Sequence, residues 1–398
     1  MDALMLPLPK DWEIKTFRDI STINQGLQIP ISQRLKAPTE HAKFYITIQV
    51  LNNRKEFEYI KTYNESVVCH KDDILMTRTG NTGMVITNIE GVFHNNFFKI
   101  NFDRTLINKN FLVYFLSLEQ TQKTILRKAG TSTIPDLNHN DFYSLSIPLP
   151  PLNEQIAIAN ILSTLDHYLY SLDALILKKE GVKKALSFEL LSQRKRLKGF
   201  NQNWQRVRLG TYKYRRGSFP QPYGNPQWYS DNGMPFVQVY DVGENFKLNQ
   251  KTKQKISKIA QPMSVFVPKN SVIITLQGTI GRVALTQYDC YCDRTILIFD
   301  NNTLNDVNKY FFVLSLFTKF EEEKRKADGS IIKTITKQTL KDFEILLPSL
   351  NEQIAIANIL SDVDSEIISL KNKKHQFENI KKALNHDLMS AKIRVLKQ

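Results

Sequence analysis

The residues best suited to chemistry gather around two glycine turns. Asp73-Ile74-Leu75-Met76-Thr77-Arg78-Thr79-Gly80-Asn81-Thr82-Gly83 reads as a strand running into a tight turn, and Ser271 to Gly281 repeats the pattern around Leu276-Gln277-Gly278-Thr279-Ile280-Gly281. The glycines permit the positive φ that such a turn needs. A phosphate cradle is a weak reading, because the Walker lysine is missing and no helix clearly follows. Presentation of one hydrogen-bonding side chain, Arg78 or Gln277, is the functional reading; a mere hairpin turn is the plain one. Covalent and metal chemistry find little support. Cys69, Cys290 and Cys292 fit neither a zinc spacing nor a disulfide framework, and the seven histidines are scattered. No cofactor is expected.

Charge points to a partner instead. The 398 residues carry 54 basic against 39 acidic side chains, a net of +15. Such an excess favours a polyanion and non-specific attraction to phosphate. Residues 178–198 concentrate part of it, with eight lysines and arginines against Glu180 and Glu189. A solvated helix face would explain that run alone, but the chain-wide surplus favours nucleic acid. Hydrophobic content of 42% is ordinary, and no apolar run of about eighteen residues exists to cross a membrane. The start of the chain lacks the basic and apolar stretches of a secretory signal, so a cytoplasmic location is expected.

A duplicated unit must position these turns. Residues 152–163 read Leu-Asn-Glu-Gln-Ile-Ala-Ile-Ala-Asn-Ile-Leu-Ser, and 350–361 read the same twelve letters at an offset of 198 positions. At that offset Lys183-Lys184-Ala185-Leu186 falls on Lys381-Lys382-Ala383-Leu384, and Gly80 and Gly83 fall on Gly278 and Gly281. A period this long indicates duplicated domains, not a solenoid. Each copy of the stretch follows proline and opens a long helix, with Asn153 or Asn351 available to cap it. Apolar residues then recur at spacings of three and four (Leu162, Leu165, Leu169, Leu172, Ile176; Leu360, Val363, Ile367, Leu370), broken by Lys179 in one copy and Lys374 in the other. That heptad seam calls for a partner helix. Burial of each helix on its own domain is the alternative.

Ahead of each helix the sequence predicts a mixed α+β globule. Phe44–Val50 and Phe236–Tyr240 read as alternating strands, Phe97–Phe102 and Thr295–Phe299 as further strands, and 110–126 and 307–325 as apolar helices. Gly130–Thr133 and Gly329–Ser330 read as loops. The intervening stretches 24–43 and 215–235 share almost nothing; the second is rich in aromatics, among them Phe219, Tyr223, Trp228 and Tyr229. The expected layout is a first domain at 1–151, a helix at 152–196, a second domain at 197–349 and a helix at 350–398. A pseudo-two-fold axis would make the helices antiparallel with the globules at opposite ends, although a parallel pairing also fits.

The combination resembles the specificity (S) subunit of type I restriction–modification systems. Trp12 with Phe17, Thr77 to Gly83, and Ile147-Pro148-Leu149-Pro150-Pro151-Leu152-Asn153-Glu154-Gln155 carry the resemblance. Each recurs as Trp204 with Leu209, the Gly278–Gly281 turn, and Leu347-Pro348-Ser349-Leu350-Asn351-Glu352-Gln353. The resemblance covers nearly the whole chain, and the repeated Pro-Leu-x-Glu-Gln helix start is its most specific part. It implies two tandem target-recognition domains separated by two long helices in an antiparallel coiled coil. Each domain would read half of a bipartite double-stranded DNA target. Two methyltransferase (modification) subunits would dock on the chain, restriction subunits would join the full complex, and the chain itself would do no chemistry. By omission the sequence agrees. Asn225-Pro226-Gln227-Trp228 departs from a methyltransferase loop at its third residue. The second turn offers Gln277 in place of the basic side chain that Arg78 supplies to the first, which leaves the role of that position open.

Side chains on the divergent strands and turns are the candidates to meet base edges or phosphates. They are Thr47, Gln49, Arg78, Thr79 and Asn81 in the first unit, and Arg215, Arg216, Gln238, Tyr240, Gln277, Thr279 and Arg282 in the second. Bidentate contacts from Gln, Asn or Arg discriminate by about 1–3 kcal/mol each. The identical stretches are repeated more strictly than packing requires. Asn153, Glu154, Gln155, Asn351, Glu352 and Gln353 are therefore expected to form a docking surface for two copies of one partner, with recent duplication as the alternative. Two other readings compete: a coiled-coil scaffold carrying two protein-binding modules, and an enzyme acting on nucleic acid through an unseen site.

Overall fold

The computed structural model describes residues 8–52, 57–243, 245–278, 280–326 and 337–396. The chain forms two compact units, one from Met1–Leu175 with Leu370–Gln398, the other from Ile176–Ser369.

In the first unit Glu13–Thr16 pairs antiparallel with Ser146–Leu149, just before the long helix begins. One four-stranded sheet has the order Ser21–Gln25, Phe97–Phe102, Ile74–Thr77, Val85–Ile86 and is antiparallel throughout. The other runs Tyr59–Ile60, Lys43–Ile46, Gly91–Phe93, Val68–Cys69, with a parallel pairing of Tyr45 to Val92 at its centre. The central strands are apolar without alternation because both of their faces are buried. Ile74, Met76, Phe98 and Ile100 enter the core around Phe17 and Phe111, whereas Leu75 and Phe97 enter the core around Tyr45 and Val92. Successive side chains of a strand face opposite ways, so one strand serves two cores.

The second unit repeats this plan with different residues. Gln205–Arg208 pairs with Glu344–Leu347. One sheet runs Tyr214–Arg216, Ile296–Phe299, Val272–Thr275, Val283–Leu285, and the other Gln254–Ile256, Tyr229–Val237, Cys290–Cys292, Val265–Val267. Val272, Ile274, Leu297 and Phe299 face one core, and Ile273, Ile296 and Ile298 the other.

Leu152–Leu191 and Leu350–Met389 are the long helices, 40 residues each. They stop short of the predicted ends because Gln193 (φ 60) and Ala391 (φ 56) turn into the left-handed region. There the Lys195 amide donates to the Glu189 carbonyl at 3.1 Å and the Ile393 amide to the Asp387 carbonyl at 3.2 Å, a helix-ending pattern. At their starts, Asn153 and Asn351 lie inside the first turn rather than capping it. Ser349 caps the second helix weakly, its Oγ accepting the Glu352 amide at 3.4 Å.

Ion pairs give the sense of pairing within each unit. In the first, Asp166 meets Lys381, Asp173 meets Lys374 at 2.7 Å, and the rings of Tyr168 and Phe377 lie 4.7 Å apart. In the second, Lys179 meets Glu366 at 2.8 Å and Lys183 meets Asp364 at 2.5 Å. As numbers rise along one helix they fall along the other. The pairing is antiparallel.

Two expectations need correction. The predicted strand 44–50 ends at Ile46, and Ile48–Asn52 is a short helix; likewise the strand ending at Val237 gives way to a helical turn at Val239–Asp241. The predicted helix 110–126 is two, Lys109–Leu116 and Glu119–Ala129. Gly329–Ser330 lies outside the described residues.

Candidate nucleic-acid interface

Both glycine turns adopt the expected conformation. Gly80 and Gly83 have φ of 86° and 91°, and Gly278 and Gly281 have 70° and 77°. The Gly83 amide donates to the Thr77 carbonyl at 2.8 Å, and the Gly281 amide to the Thr275 carbonyl at 2.9 Å. Each turn packs on the short helix after the parallel strand. A Cβ on Gly80 would come within 3.0 Å of Ile48 Cδ1, and one on Gly278 within 3.5 Å of Val239 Cγ2. Candidates far apart in sequence, Gln49 with Asn81 and Tyr240 with Gln277, are thereby carried on adjoining segments.

Not every candidate faces outward. In the first unit Gln49 and Asn81 are exposed. Thr47 is only 3% exposed, and its Oγ1 accepts the Val50 amide at 3.3 Å, capping the short helix. Its hydroxyl is committed inside the fold, which corrects the expectation that it meets bases. Arg78 is held as well. Its guanidinium donates to Asp136 at 2.7 Å and lies 5.5 Å over the Phe98 ring, while Thr79 Oγ1 donates to the same carboxylate at 2.5 Å. Arg78 and Thr79 thus fasten the turn to the segment around Asp136. The edge continues through His139, which packs on Phe98 at 5.0 Å and reaches Gln25 at 3.1 Å. Sequence reasoning missed Asp136, His139 and Gln25; no motif surrounds them, and only folding brings them to Arg78.

In the second unit Arg216, Tyr240 and Gln277 are exposed. Arg215 donates to the Phe266 carbonyl at 3.1 Å and Arg282 to the Val242 carbonyl at 3.1 Å, so both also brace the backbone. Thr279 lies outside the described residues. The Tyr240 hydroxyl donates to Gln238 Oε1, and Lys253 Nζ sits 5.1 Å over the Tyr240 ring. Beneath them Asp241 is buried and accepts the Gln238 and Lys253 amides at 2.9 Å each. Burial pushes its carboxyl up, opposed by those amides. The aromatics of 215–235 form a cluster, with Phe219 stacked on Phe236 at 4.4 Å and Arg294 5.4 Å over the Tyr223 ring.

The partner-binding candidates are mostly internal. Glu154, Gln155, Glu352 and Gln353 are each 2% exposed or less. Gln155 Oε1 accepts the Asn108 amide at 2.9 Å, and Gln353 Oε1 accepts the Asn308 amide at 2.9 Å, tying each globule to its helix. Glu154 accepts the Trp12 indole at 3.0 Å and Arg394 at 2.8 and 2.9 Å. Glu352 accepts Arg196 at 3.1 and 3.0 Å. These four side chains hold the fold, which corrects their assignment to a docking surface. What the repeated stretch leaves outside in both copies is Asn153, Ile156 and Asn160 in one and Asn351, Ile354 and Asn358 in the other.

Among the described residues no group of three or more His, Cys, Asp or Glu side chains is placed to hold a metal ion. No helix among them is long and apolar enough to cross a membrane.

Comparison with known proteins agrees with this architecture. The chain belongs to the family of type I restriction modification DNA specificity domains, whose model matches residues 9–180 and 221–379. Specificity subunits of this family are non-catalytic. A putative type I restriction enzyme MjaX specificity subunit from Methanocaldococcus jannaschii is 25% identical over 98% of this chain and 95% of its own. The type I restriction enzyme MjaVIII specificity subunit of the same organism is 24% identical over the same shares. Among solved structures, the S subunit of a type I restriction–modification system from M. genitalium covers 98% of this chain and 99% of its own with a TM-score of 0.62 at 16% identity. A chain from a type I R-M system studied for complex assembly and conformational transition covers 97% and 99% with a TM-score of 0.61 at 17% identity. These two establish likeness of fold.

Proposed function

We propose that this chain reads a bipartite double-stranded DNA target, one half-site per unit, for a type I restriction–modification complex. One observation carries the reading: two globules share a strand order while the exposed side chains at the same edge differ, Gln49 and Asn81 in one and Tyr240 and Gln277 in the other. A common frame with divergent polar groups suits two different base sequences. The test is the methylation motif made with the modification subunit. Gln49→Ala with Asn81→Ala should relax one half-site only, and Tyr240→Phe with Gln277→Ala the other only. If neither pair alters sequence preference, this edge does not read bases. A scaffold of two protein-binding modules predicts no steep salt dependence of duplex binding, and DNA reading does.

Two methyltransferase subunits would dock on the outward stripes that begin each long helix, and restriction subunits would join them. Ile156 and Ile354 are 41% and 39% exposed within the same twelve-residue sequence. Ile156→Lys should release one modification subunit and the double variant with Ile354→Lys both; unchanged stoichiometry would move docking elsewhere. The helices then set the unread spacer. Because they pair antiparallel, both must lengthen together: four residues after Lys178 and four after Ile368. That adds about 6 Å while turning each helix within roughly 40° of register. The spacer should grow by one or two base pairs, since B-DNA rises about 3.4 Å per pair. An intact motif at the old spacing would end the ruler idea.

A further inference from the structure

The helix contacts repeat at the ends and differ in the middle, and the difference has a direction. Asp166 with Lys381 in one unit matches Asp364 with Lys183 in the other, and Glu154 with Arg394 matches Glu352 with Arg196. Both matches hold at the 198-residue offset, so each repeat supplies both halves of each pair. A repeat facing a second copy of itself would make these contacts unchanged.

Toward the middle of each helix this equivalence fails. Asp173 pairs with Lys374, but the residues equivalent to them are Lys371 and Ile176. Lys179 pairs with Glu366, and the equivalent contact is between the rings of Phe377 and Tyr168, with Lys373 Nζ 5.6 Å over Tyr168. Two first repeats facing each other would set Asp173 against Ile176 twice, with no like charges opposed. Two second repeats would set Lys371 against Lys374 twice and gather six lysines, with Lys373, in the middle of the pair. Like charges opposed across a helix pair select against that pairing.

We propose that the helix pair carries a one-sided pairing code: the first repeat can pair with the second or with a second copy of itself, and the second repeat can pair only with the first. This goes beyond the DNA-reading role and does not depend on it.

The test begins with the full chain carrying a protease site at 197–203, cut after purification, unfolded in urea and returned to buffer. Native mass spectrometry then counts the pairs. The mixed pair should exceed the first-repeat homodimer roughly tenfold, about 1.4 kcal/mol, with no second-repeat homodimer. The same chain with Lys371→Glu, which would oppose Lys374 of its copy, should gain the second-repeat homodimer. Statistical mixing of all three pairs overturns the proposal. So does a Lys371→Glu chain whose second repeat still refuses itself, or halves that do not re-pair once the linker is cut.

Discussion

The two helix starts are built from the same twelve residues, yet their buried glutamates live differently. Glu154 has three donors' worth of company: the Trp12 indole and two nitrogens of Arg394, with Asp11 binding the far side of that arginine at 2.7 and 3.2 Å. Arg394 holds the Asp11 carboxyl below its usual range. Among the described residues the Glu352 side chain has Arg196 alone. Trp204, the counterpart of Trp12, leaves its indole nitrogen without a partner among the described residues, and Asn203 stands in place of Asp11. Arg196 turns instead to the Gln202 carbonyl at 2.8 Å. A motif repeated letter for letter therefore does not guarantee a repeated site, because its partners come from the divergent lead-in and from the end of the other helix.

The largest effect should come from breaking that contrast. Arg196→Ala strips Glu352, 1% exposed, of its named partner, and an unpaired buried carboxylate costs about 3–5 kcal/mol. Arg394→Ala leaves Glu154 the Trp12 indole and should cost less. Urea unfolding of both variants measures the order. Adding Glu352→Gln to Arg196→Ala should recover part of the loss, since a neutral amide is cheaper to bury unpaired. If Arg394→Ala proves the worse variant, the Asp11 arm outweighs the indole and the comparison is inverted.

A smaller effect separates the two glycine turns. Gly80→Ala and Gly278→Ala both force a Cβ into left-handed backbone, costing about 1–2 kcal/mol. Only Gly80 also meets a tight neighbour, Ile48 Cδ1 at 3.0 Å against 3.5 Å for the nearest atom to Gly278. Gly80→Ala should therefore be the more damaging, by a few tenths of a kcal/mol at most if Ile48 yields. Equal unfolding midpoints would show that Ile48 moves freely and that the turn is not braced by the short helix.

These comparisons also show what the sequence could reveal. The paired seam was legible because heptad spacing is a direct consequence of helix geometry, and the offset of 198 placed the same pattern twice; its antiparallel sense was not, because heptad spacing is the same in either direction. The turns were legible because positive φ restricts residue choice to glycine. Thr47 was misread because Phe44 to Val50 alternates like a strand, while a buried hydroxyl accepting the Val50 amide turns the chain into a helix after Ile46. Glu154 and Gln155 were misread because identity between copies looks the same whether a residue serves a partner or caps Asn108 inside its own globule. Asp136 as the anchor of Arg78 and Thr79 carried no local signal at all, being 58 and 57 residues away in the chain.

The smallest expected effect concerns pH, at the place where a glycine crosses the end of the parallel strand. A Cβ on Gly26 would lie 2.1 Å from the Phe93 carbonyl, and one on Gly217 2.3 Å from the Cys292 carbonyl, so both units need the bare backbone there. The residue that follows differs: His94 in the first unit, Asp293 in the second. His94 is half-buried, and its Nδ1 accepts the Asn96 amide at 3.1 Å, which requires a neutral ring nitrogen. Burial, with Arg34 nearby adding repulsion, lowers its pKa from the ordinary 6.5. The folded protein then binds fewer protons than the unfolded chain. The stability this contributes is present above pH 6.5 and is lost as the pH falls through the lowered value. His94→Asn keeps an acceptor for the Asn96 amide without a titrating group. Urea midpoints followed by a probe in the first unit should decline from pH 7.5 to about pH 5 in the native chain and decline less in His94→Asn. Parallel declines in the two proteins would assign the pH sensitivity to other groups and leave this crossing electrostatically silent.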